Sequence, residues 1–537
     1  MHLPEGIGSG RLFLPSVSDT RALLPPIPSA APLRSSFFFC YNPCSCIQVI
    51  IRHEVGVPGL KRALILLLFL LPAILMCLSC GSSNTTGTQT TTPKYRALVT
   101  NRVSAGSLSA GVYTVDAEND LRANVSPISA GNTPGMMVVT PNQAETVVFS
   151  GNGTLSSDNQ LTIINNGTGS VAGHVNLPGM TESFVVSPNS STVYVAVPTA
   201  PVVGQSALGI VEVIALNNGA VLGQVDIPSV HYLSIDNSGN RILGFSDNSD
   251  SVAVITPSNI EIPNAVAVTY VSGFDRPVQA FFSSDDSTAY VVNCGAECGG
   301  NTASVQQFSL IDNTLSSYVP ACVPIPATNP VQCSSLAAGS FALLNGSTMY
   351  LAGSPPYVGG APQQPCTGQT TAANSCGLLT IVDLSTMSVV NTAPIVITDG
   401  YHDRMALGPN GQLFIGAHTC TEIVPPVPPP TGAEVRGCLS IYNTLNTAVG
   451  SVPAGGVIIP PENGDVTGIQ PITQRGDIGT MAQEVVYVIQ GENVQGGSLY
   501  IYDDTIDALE YNPHDSSERG RVYNFIGDFV DVKTVDF

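Results

Sequence analysis

A short two-strand unit recurs along the chain, and this repetition restricts the fold more than any other feature of the sequence. Each copy has an apolar segment, a turn at a Pro-Asn, Asn-Gly or similar site, and a second apolar segment that ends in small residues. Clear copies lie at residues 137–150, 184–196, 233–245, 280–292, 341–352 and 405–416. Short apolar segments joined by tight turns are typical of β-hairpins, so the sequence predicts a repeat protein built from strands.

A third apolar segment, and usually a fourth, follows each hairpin. Third segments include 160–164, 210–215, 252–255, 305–310, 378–383, 438–442 and 498–502. Four antiparallel strands per repeat, arranged around an axis, form the blades of a β-propeller, an all-β fold that leaves only short, protected sheet edges. The composition agrees, because 52 Gly and 41 Pro suit tight turns and only 11% of the residues are charged, whereas helices need many Ala, Leu, Glu and Lys residues.

The number of second strands predicts the number of blades. These strands lie at 95–101, 146–150, 192–196, 241–245, 288–293, 348–352, 412–416 and 485–490. We therefore expect eight blades, with seven as the alternative if one unit is degenerate or inserted. The second strand of the first blade, at residues 95–101, has no innermost strand before it, and a surplus strand at residues 529–537 follows the last blade. We predict that this C-terminal strand completes the first blade and closes the ring.

Three segments precede the predicted propeller, which we place at residues 95–537. Residues 61–80 begin with Lys61 and Arg62, continue with a 16-residue apolar run and end in small residues, which is the pattern of a signal peptide. The run is too short for a membrane-spanning helix. Residues 81–94, rich in Ser, Thr and Gly, predict a flexible tether. We interpret the Pro-rich residues 1–60 as an upstream extension that results from a misassigned start codon, with a functional pro-segment as the alternative.

The end of this signal peptide resembles that of bacterial lipoprotein precursors. Ser79-Cys80 looks like the cleavage site, with Cys80 as the lipidated residue. Cys77 stands where such precursors usually have Leu, so ordinary secretion is the alternative. The resemblance implies an exported protein, periplasmic or at the cell surface, that is anchored to the membrane by an N-terminal lipid. Gly81 after the cysteine implies the outer membrane.

Eight cysteines lie in the predicted propeller and fall into four local pairs. The pairs are Cys294 and Cys298, Cys322 and Cys333, Cys366 and Cys376, and Cys420 and Cys438. An even number of closely spaced cysteines in an exported chain predicts disulfides, although proximity alone does not establish their connectivity. Zinc is the alternative for the first pair, but no second pair or histidine follows at ligand spacing.

The blade pattern resembles the YVTN-type repeat of bacterial surface and secreted propellers. The residues that carry the resemblance are Tyr95-Arg-Ala-Leu-Val-Thr-Asn101, Thr192-Val-Tyr-Val195 and Ser187-Pro-Asn-Ser-Ser191. The chain is also similar to the lactonase-like propellers, the superfamily of 6-phosphogluconolactonase and carboxymuconate cyclase. The resemblance implies the fold. It transfers no catalytic residue, because no second motif aligns one.

Charge and missing motifs exclude several function classes. After residue 79 the chain has 12 basic and 36 acidic groups, a net charge of −24, which repels phosphate backbones and excludes nucleic-acid binding. The absence of Trp removes the Trp-containing motifs of other propeller classes, and no nucleotide-binding or metallohydrolase fingerprint is present. Oxygen-rich turns at 236–240 and 247–250 lack the other ligands of an EF-hand. We expect no metal, no cofactor and a monomer.

The candidate site consists of polar residues near the start of several innermost strands, where propeller ligands usually lie. These residues are His231, Asp275, Arg276, His402, Asp403, Arg404, Arg475 and Asp477. They are notable because the chain after residue 79 has only five histidines and 12 basic residues. Two of those histidines and three of those arginines are in the candidate set.

Residues 402–404 place an imidazole, a carboxylate and a guanidinium side by side. Because alternate residues of a strand share a face, we expect His402 and Arg404 to point into the channel together. In a lactone hydrolase His402 or Asp403 would activate water, and Arg404 would stabilise the oxyanion. The alternative is structural, with Asp-Arg pairs that join adjacent blades and a histidine that is hydrogen-bonded at a turn.

These observations predict an extracytoplasmic, membrane-anchored propeller that acts as a binding or scaffold protein. Its ligand would be a small molecule, a glycan or a protein. A lactonase-like hydrolase with its site at the channel mouth is the alternative.

Overall fold

The computed structural model divides the chain into two compact units, Met1–Gly87 and Thr88–Phe537. It describes residues 36–42, 45–50, 93–102, 109–118, 120–151, 159–202, 208–326, 328, 330–355, 376–420, 438–448, 453–460, 464–473, 485–491, 497–503, 508–509 and 528–536. The first unit contains an antiparallel hairpin of β1 (Ser36–Asn42) and β2 (Ser45–Ile50). Cys80 and the predicted tether up to residue 92 lie outside the described residues. Across the described ranges, no helix has the length and apolar character that a membrane span requires.

The second unit is an all-β propeller of eight blades, which confirms the predicted fold and excludes seven. Within each blade the strands follow one another from the channel outward in a fixed order. Blade 1 contains β35 (Phe529–Asp536), β3 (Tyr95–Asn101), β4 (Gly111–Asp116) and β5 (Leu121–Arg122). Blade 2 contains β6 (Pro134–Val139), β7 (Glu145–Ser150), β8 (Gln160–Asn165) and β9 (Ser170–Asn176). Blade 3 contains β10 (Ser183–Val186), β11 (Thr192–Pro201), β12 (Leu208–Ala215) and β13 (Val221–Asp226). Blade 4 contains β14 (Val230–Ile235), β15 (Ile242–Ser246), β16 (Ser251–Ile255) and β17 (Val268–Ser272).

The other four blades follow the same order. Blade 5 contains β18 (Pro277–Phe282), β19 (Thr288–Asn293), β20 (Ser304–Ser309) and β21 (Thr314–Pro320). Blade 6 contains β22 (Phe341–Asn345), β23 (Thr348–Gly353), β24 (Gly377–Asp383) and β25 (Ser388–Val389), and β26 (Ile395–Ile397) also pairs with β24. Blade 7 contains β27 (Tyr401–Leu407), β28 (Gln412–His418), β29 (Leu439–Asn443) and β30 (Val457–Ile458). Blade 8 contains β31 (Asp465–Ile472), β32 (Val485–Gly491), β33 (Ser498–Asp503) and β34 (Ala508–Leu509). Short 3-10 turns lie at Pro257–Asn259 and Gly295–Cys298.

The ring closes through the C-terminal strand, as predicted. Strand β35 pairs antiparallel with β3, from Tyr95 opposite Asp536 to Asn101 opposite Phe529. The last strand of the chain is therefore the innermost strand of the first blade.

The hydrophobic core lies between the blades. Eight clusters of buried side chains occupy the eight interfaces between neighbouring blades. Both faces of a blade are therefore covered, so its middle strands are almost continuously apolar; in β32, six successive residues from Val485 to Gln490 are buried. This requirement explains why the repeats could be recognised from the sequence.

Six of the eight innermost strands have an extra residue close to their start. The register shifts in β6, β14, β18, β27, β31 and β35 against their second strands. Such a β-bulge leaves one residue unpaired and changes which side chains share a face. The extra residue is His231 in β14 and Asp403 in β27.

Side chains of several innermost strands also accept a backbone N–H from the next blade. The pairs are Asp531 Oδ2 with Met137 N (2.8 Å), Ser183 Oγ with Leu233 N (3.0 Å), Ser234 Oγ with Ala280 N (3.1 Å) and Gln279 Oε1 with Ala342 N (3.1 Å). These bonds set the spacing of the blades around the channel.

Three of the four predicted disulfides are confirmed. Bonds join Cys294 to Cys298, Cys322 to Cys333 and Cys420 to Cys438. Cys376 is also disulfide-bonded, and its predicted partner Cys366 lies outside the described residues. Disulfides persist in oxidising compartments, so the propeller belongs in an extracytoplasmic environment.

All of these bonds lie on one face of the ring. Because the strands of a blade alternate in direction, each innermost strand starts at the face of the ring where the second strand ends and the third begins. We name this face of the ring the mouth face. The Cys294–Cys298 and Cys420–Cys438 bonds follow the second strands of blades 5 and 7, and the Cys322–Cys333 bond lies in the segment that leads from blade 5 to blade 6.

Candidate functional site

The eight innermost strands surround a central channel that opens on the mouth face. Its cavity has a volume of about 1250 Å³ and is lined by residues of all eight innermost strands or their flanks. That volume is somewhat above the range of about 300–1,000 Å³ that is typical of pockets that bind small molecules. Charged and phenolic side chains gather where the strands start, and they form two clusters joined by a pair of tyrosines.

The first cluster joins blades 3 and 4 through a histidine held between two carboxylates. His231 Nε2 lies 2.8 Å from Glu182 Oε2, and its Nδ1 lies 2.7 Å from Asp247 Oδ2. The hydrogen bond to Glu182, reinforced by Asp247, raises the pKa of His231 to about 9. The imidazole is therefore protonated at neutral pH and donates from both nitrogens. His231 was predicted as a candidate, whereas Glu182 and Asp247 were not.

A pair of tyrosines spans the opening from blade 4 to blade 7. The hydroxyls of Tyr232 and Tyr401 lie 2.8 Å apart, although their blades are not neighbours. The ring of Tyr232 also stacks on His231, with centroids 5.2 Å apart. Burial raises the pKa of both tyrosines, and the charges of Glu182 and Asp403 raise it further. Both hydroxyls are therefore neutral hydrogen-bonding groups at the channel mouth.

The second cluster lies on blade 7. Asp403 Oδ1 is 2.9 Å from His418 Nε2, and Asp403 Oδ2 is 3.0 Å from Arg404 Nη1. Arg404 also donates from Nε to the carbonyl of Thr467 at 2.7 Å, which ties the cluster to blade 8. All three side chains line the cavity. An imidazole oriented by a carboxylate beside a guanidinium is able to move a proton and to stabilise a negative charge.

The expectation that His402 and Arg404 share the channel face is wrong. His402 is 0% exposed, and its Nε2 lies 3.0 Å from the carbonyl oxygen of Thr398. Burial lowers the pKa of His402 to about 4, so the ring is neutral. The cause is the bulge in β27, because the extra residue Asp403 breaks the strict alternation of faces. The structural alternative, a histidine hydrogen-bonded within the fold, describes His402.

Asp275 and Arg276 lie at the edge of blade 5 and do not line the cavity. The Asp275 carboxylate accepts backbone N–H groups from Asn301 and Thr302 at 2.7 to 3.1 Å, which organises the loop between β19 and β20. Arg276 Nη1 lies 3.7 Å from Asp250 of blade 4. Arg276 thus fits the structural alternative of a contact that joins two blades, whereas Asp275 stabilises a loop within blade 5. Arg475 and Asp477 lie outside the described residues.

Glu297 is a carboxylate of the mouth face that the sequence analysis did not identify. It lies on the 3-10 turn closed by the Cys294–Cys298 disulfide, and its Oε2 accepts the backbone N–H of Ser354 in blade 6 at 3.1 Å. Burial raises the pKa of Glu297 to about 7. Its charge contributes to the raised pKa of Tyr401, so it belongs electrostatically to the same opening.

Other residues missed by the sequence analysis come from elements next to the innermost strands. His418 ends a second strand, and Glu182 directly precedes an innermost strand. The scarcity of histidine, which singled out His231, also applied to His418 and was the available signal. Within the described ranges, no group of three or more His, Cys, Asp or Glu residues is arranged to hold a metal ion.

Three solved structures illustrate what the chain is similar to. A hydrazine synthase from Kuenenia stuttgartiensis is 16% identical, with 61% of this chain and 77% of that chain covered and a TM-score of 0.40. A dihydro-heme d1 dehydrogenase is 11% identical, with 83% of this chain and 76% of that chain covered and a TM-score of 0.46. A candidate 6-phosphogluconolactonase from Bacteroides fragilis is 11% identical, with 83% of this chain and 99% of that chain covered and a TM-score of 0.42.

These comparisons do not identify a family. No family model matches the chain, and no curated protein matches it. Because the identities are at most 16% and the TM-scores are below 0.5, the similarities to these three structures carry no argument about activity. The chain is an eight-bladed, disulfide-bonded β-propeller whose channel mouth collects charged and phenolic side chains from several blades.

Proposed function

We propose that this protein is an exported propeller, anchored to a membrane through Cys80, that binds a ligand in the mouth of its channel. The observation that carries the proposal is the convergence of Glu182, Tyr232, Tyr401 and Asp403 on a cavity of about 1250 Å³. Polar groups from blades 3, 4 and 7 meet there although they are distant in sequence. A concave site with few, well-placed polar groups and perturbed pKa values is characteristic of ligand binding.

The mouth is also rigid, which favours binding because less conformational entropy is lost. His231 is held on both nitrogens, and Arg404 is held by Asp403 and Thr467. The Cys294–Cys298 disulfide closes the adjacent turn Gly295–Cys298 of blade 5. The site is therefore largely formed before a ligand arrives.

We expect Gly135→Phe to lower ligand affinity at least tenfold, because the new ring occupies the cavity. Gly135 lines the cavity, and a Cβ there makes only ordinary contacts, 3.7 Å to the oxygen of Phe149 and 3.9 Å to Val530 Cγ1. Isothermal titration of the full-length chain against neutral, anionic and cationic metabolites measures the effect.

The matched control is Gly173→Phe in the outer strand β9. A Cβ at Gly173 meets only Ile163 Cδ1 at 4.0 Å, so the space is similar but remote from the channel. This variant should bind like the wild type. Unchanged affinity in Gly135→Phe, or no binding by any compound to the wild type, would contradict the proposal.

The geometry of blade 7 favours a lactone hydrolase as the second candidate. Asp403 orients Nε2 of His418, and His418 Nδ1 has no hydrogen-bond partner among the residues that the structure describes. In this mechanism Nδ1 accepts a proton from water, the hydroxide attacks the lactone carbonyl, and the Arg404 guanidinium stabilises the oxyanion. The ring C–O bond then breaks, and the leaving oxygen takes the proton from His418.

Turnover of a lactone panel by the full-length chain tests this candidate. We expect His418→Ala to reduce kcat about a hundredfold or more, which is the usual contribution of a general base. His174→Ala is the control, because His174 lies on β9 and contacts Thr162. Absence of turnover in the wild type, or equal turnover in both variants, removes the hydrolase and leaves the binding function intact.

A further inference from the structure

We propose that the Cys294–Cys298 disulfide is a redox switch of the channel mouth, which positions Tyr401 through Glu297 and Ser354. This inference rests on the proposed ligand-binding function and names a regulation of that site. It follows from a continuous series of contacts that leads from the disulfide in blade 5 through blade 6 to the tyrosine pair of blades 7 and 4.

The disulfide closes a short turn that carries Glu297. The bond spans the 3-10 turn Gly295–Cys298, and Glu297 directly precedes the second cysteine. A hydrogen bond from Cys294 N to the carbonyl oxygen of Arg276, 2.8 Å long, holds the start of the turn. Its end is followed by Gly299 with a φ of 82°, and glycine has the largest backbone freedom of all residues. Reduction therefore leaves the start of the turn in place and frees the part that contains Glu297.

Glu297 reaches from this turn into blade 6. Its Oε2 accepts the backbone N–H of Ser354 at 3.1 Å, and the carboxylate also accepts that of Gly339. The contact is close, because a Cβ added at Gly353 would lie 2.6 Å from Glu297 Oε2. Gly339 precedes the innermost strand of blade 6, and Ser354 follows the second strand. One carboxylate thus joins two segments of blade 6 to the disulfide turn of blade 5.

Ser354 connects this contact to blade 7. Its hydroxyl donates to the carbonyl oxygen of Gly400 at 3.0 Å. The backbone of Cys420 packs against the same glycine, since a Cβ added at Gly400 would lie 2.9 Å from Cys420 N. Ser354 and Cys420 together therefore orient the peptide from which Tyr401 begins β27.

Tyr401 depends on this support because packing alone does not hold its ring. The residue is 42% exposed, and its hydroxyl lies 2.8 Å from that of Tyr232 across the opening. The charge of Glu297 contributes to the raised pKa of Tyr401, which places the two side chains near each other. A shift of Gly400 therefore changes the separation of the two hydroxyls and the shape of the mouth.

Reduction of the disulfide requires a dithiol, such as that of a thioredoxin-like protein, as the electron donor. Cys294 is 0% exposed and Cys298 is partly exposed, so the donor thiolate attacks Cys298 Sγ. The disulfide breaks, and Cys294 leaves as a thiolate that takes up a proton. The second thiol of the donor then displaces the thiolate of Cys298, which is protonated in turn, and the donor ends as a disulfide.

The fold tolerates the loss of this bond better than the loss of the others. The sequence separation is 4 for Cys294–Cys298, against 11 for Cys322–Cys333 and 18 for Cys420–Cys438. A disulfide that closes a short loop restricts the unfolded chain least and so contributes least to stability. Its reduction can therefore change the mouth while the propeller stays folded.

Fluorine NMR of the full-length chain labelled with 3-fluorotyrosine tests the switch without a ligand. Tyr401→Phe assigns the resonance of Tyr401. At pH 8, above the pKa of about 7 that burial gives Glu297, we expect the double variant Cys294→Ser with Cys298→Ser to shift or broaden that resonance. Ser354→Ala should produce the same change, and adding it to the double variant should have no further effect, because both act on one series of contacts.

The double variant Cys322→Ser with Cys333→Ser is the matched control. It removes another disulfide of the mouth face, and no hydrogen bond of the described residues joins that disulfide to Glu297 or Ser354. This control should leave the Tyr401 resonance unchanged. In the wild type, dithiothreitol should change the resonance in step with the alkylation of Cys298, measured by mass spectrometry.

The outcomes separate this inference from the proposed function. An unchanged Tyr401 resonance in the variant without Cys294 and Cys298, or an equal change in the control, refutes the switch. If the resonance responds, that variant should bind the metabolites tested against Gly135→Phe about threefold to tenfold more weakly than the wild type, the effect of one net hydrogen bond. Unchanged affinity refutes the regulation and leaves the binding function intact. A resonance that responds in a chain that binds none of these metabolites refutes the binding function, and the regulation with it.

Discussion

A chain that lacks residues 529–537 is expected to lose the cooperative unfolding transition of the propeller. Phe529, Val532 and Val535 are each at most 1% exposed and pack in the two interfaces that flank blade 1. Burial of each such side chain contributes about 1.5–3 kcal/mol. Their combined loss is comparable with the whole stability of a typical protein, about 5–15 kcal/mol. Calorimetry and near-ultraviolet circular dichroism measure the change.

A permuted chain provides the control for this truncation. Asp536 lies opposite Tyr95 in the register of β35 and β3, so residues 528–537 placed directly before residue 93 can form the same hairpin through a short linker. The permuted chain should recover the transition, because it restores every contact and changes only connectivity. A truncated chain that melts within a few degrees of the wild type would show that the ring does not depend on this strand.

Asp531→Ala is expected to destabilise the propeller by about 2–6 kcal/mol, because two buried backbone N–H groups would each lose their acceptor at a cost of about 1–3 kcal/mol. Asp531 is 2% exposed. Its carboxylate accepts the backbone N–H groups of Met137 and Val532, both at 2.8 Å, and binds Lys533 Nζ at 3.0 Å. The substitution leaves these donors without an acceptor at the boundary between blades 1 and 2. Chemical denaturation of the purified chain gives the difference in unfolding free energy.

Two further variants identify the cause of the loss. Asp531→Asn keeps one acceptor oxygen and should cost less than Asp531→Ala. Asp312→Ala removes an exposed carboxylate of the outer hairpin of blade 5 and should change the unfolding free energy by less than about 0.5 kcal/mol. Equal effects of Asp531→Ala and Asp312→Ala would show that the contact between β35 and blade 2 is energetically unimportant.

The site was only partly predictable from the sequence. The rule that ligands lie near the start of the innermost strands found His231, Asp403 and Arg404, which the structure places at or beside the channel mouth. The alternation rule failed at His402, because a bulge in β27 turned that ring into the interior. Bulges depend on how a strand is paired, and the pairing is not written in the strand itself.

The sequence by itself predicted the propeller with eight blades as the favoured number, the closure by the C-terminal strand and three local disulfide pairs that the structure confirms. These features depend on short-range patterns: apolar middle strands buried on both faces, turn residues between them, and cysteines close along the chain. Only the tertiary structure decided the composition of the channel mouth. Tyr232 and Tyr401 are 169 residues apart, yet their hydroxyls lie 2.8 Å from each other. Such a contact depends on the curvature of the closed ring and on the bulges that re-aim its innermost side chains, and neither leaves a periodic signal in the sequence.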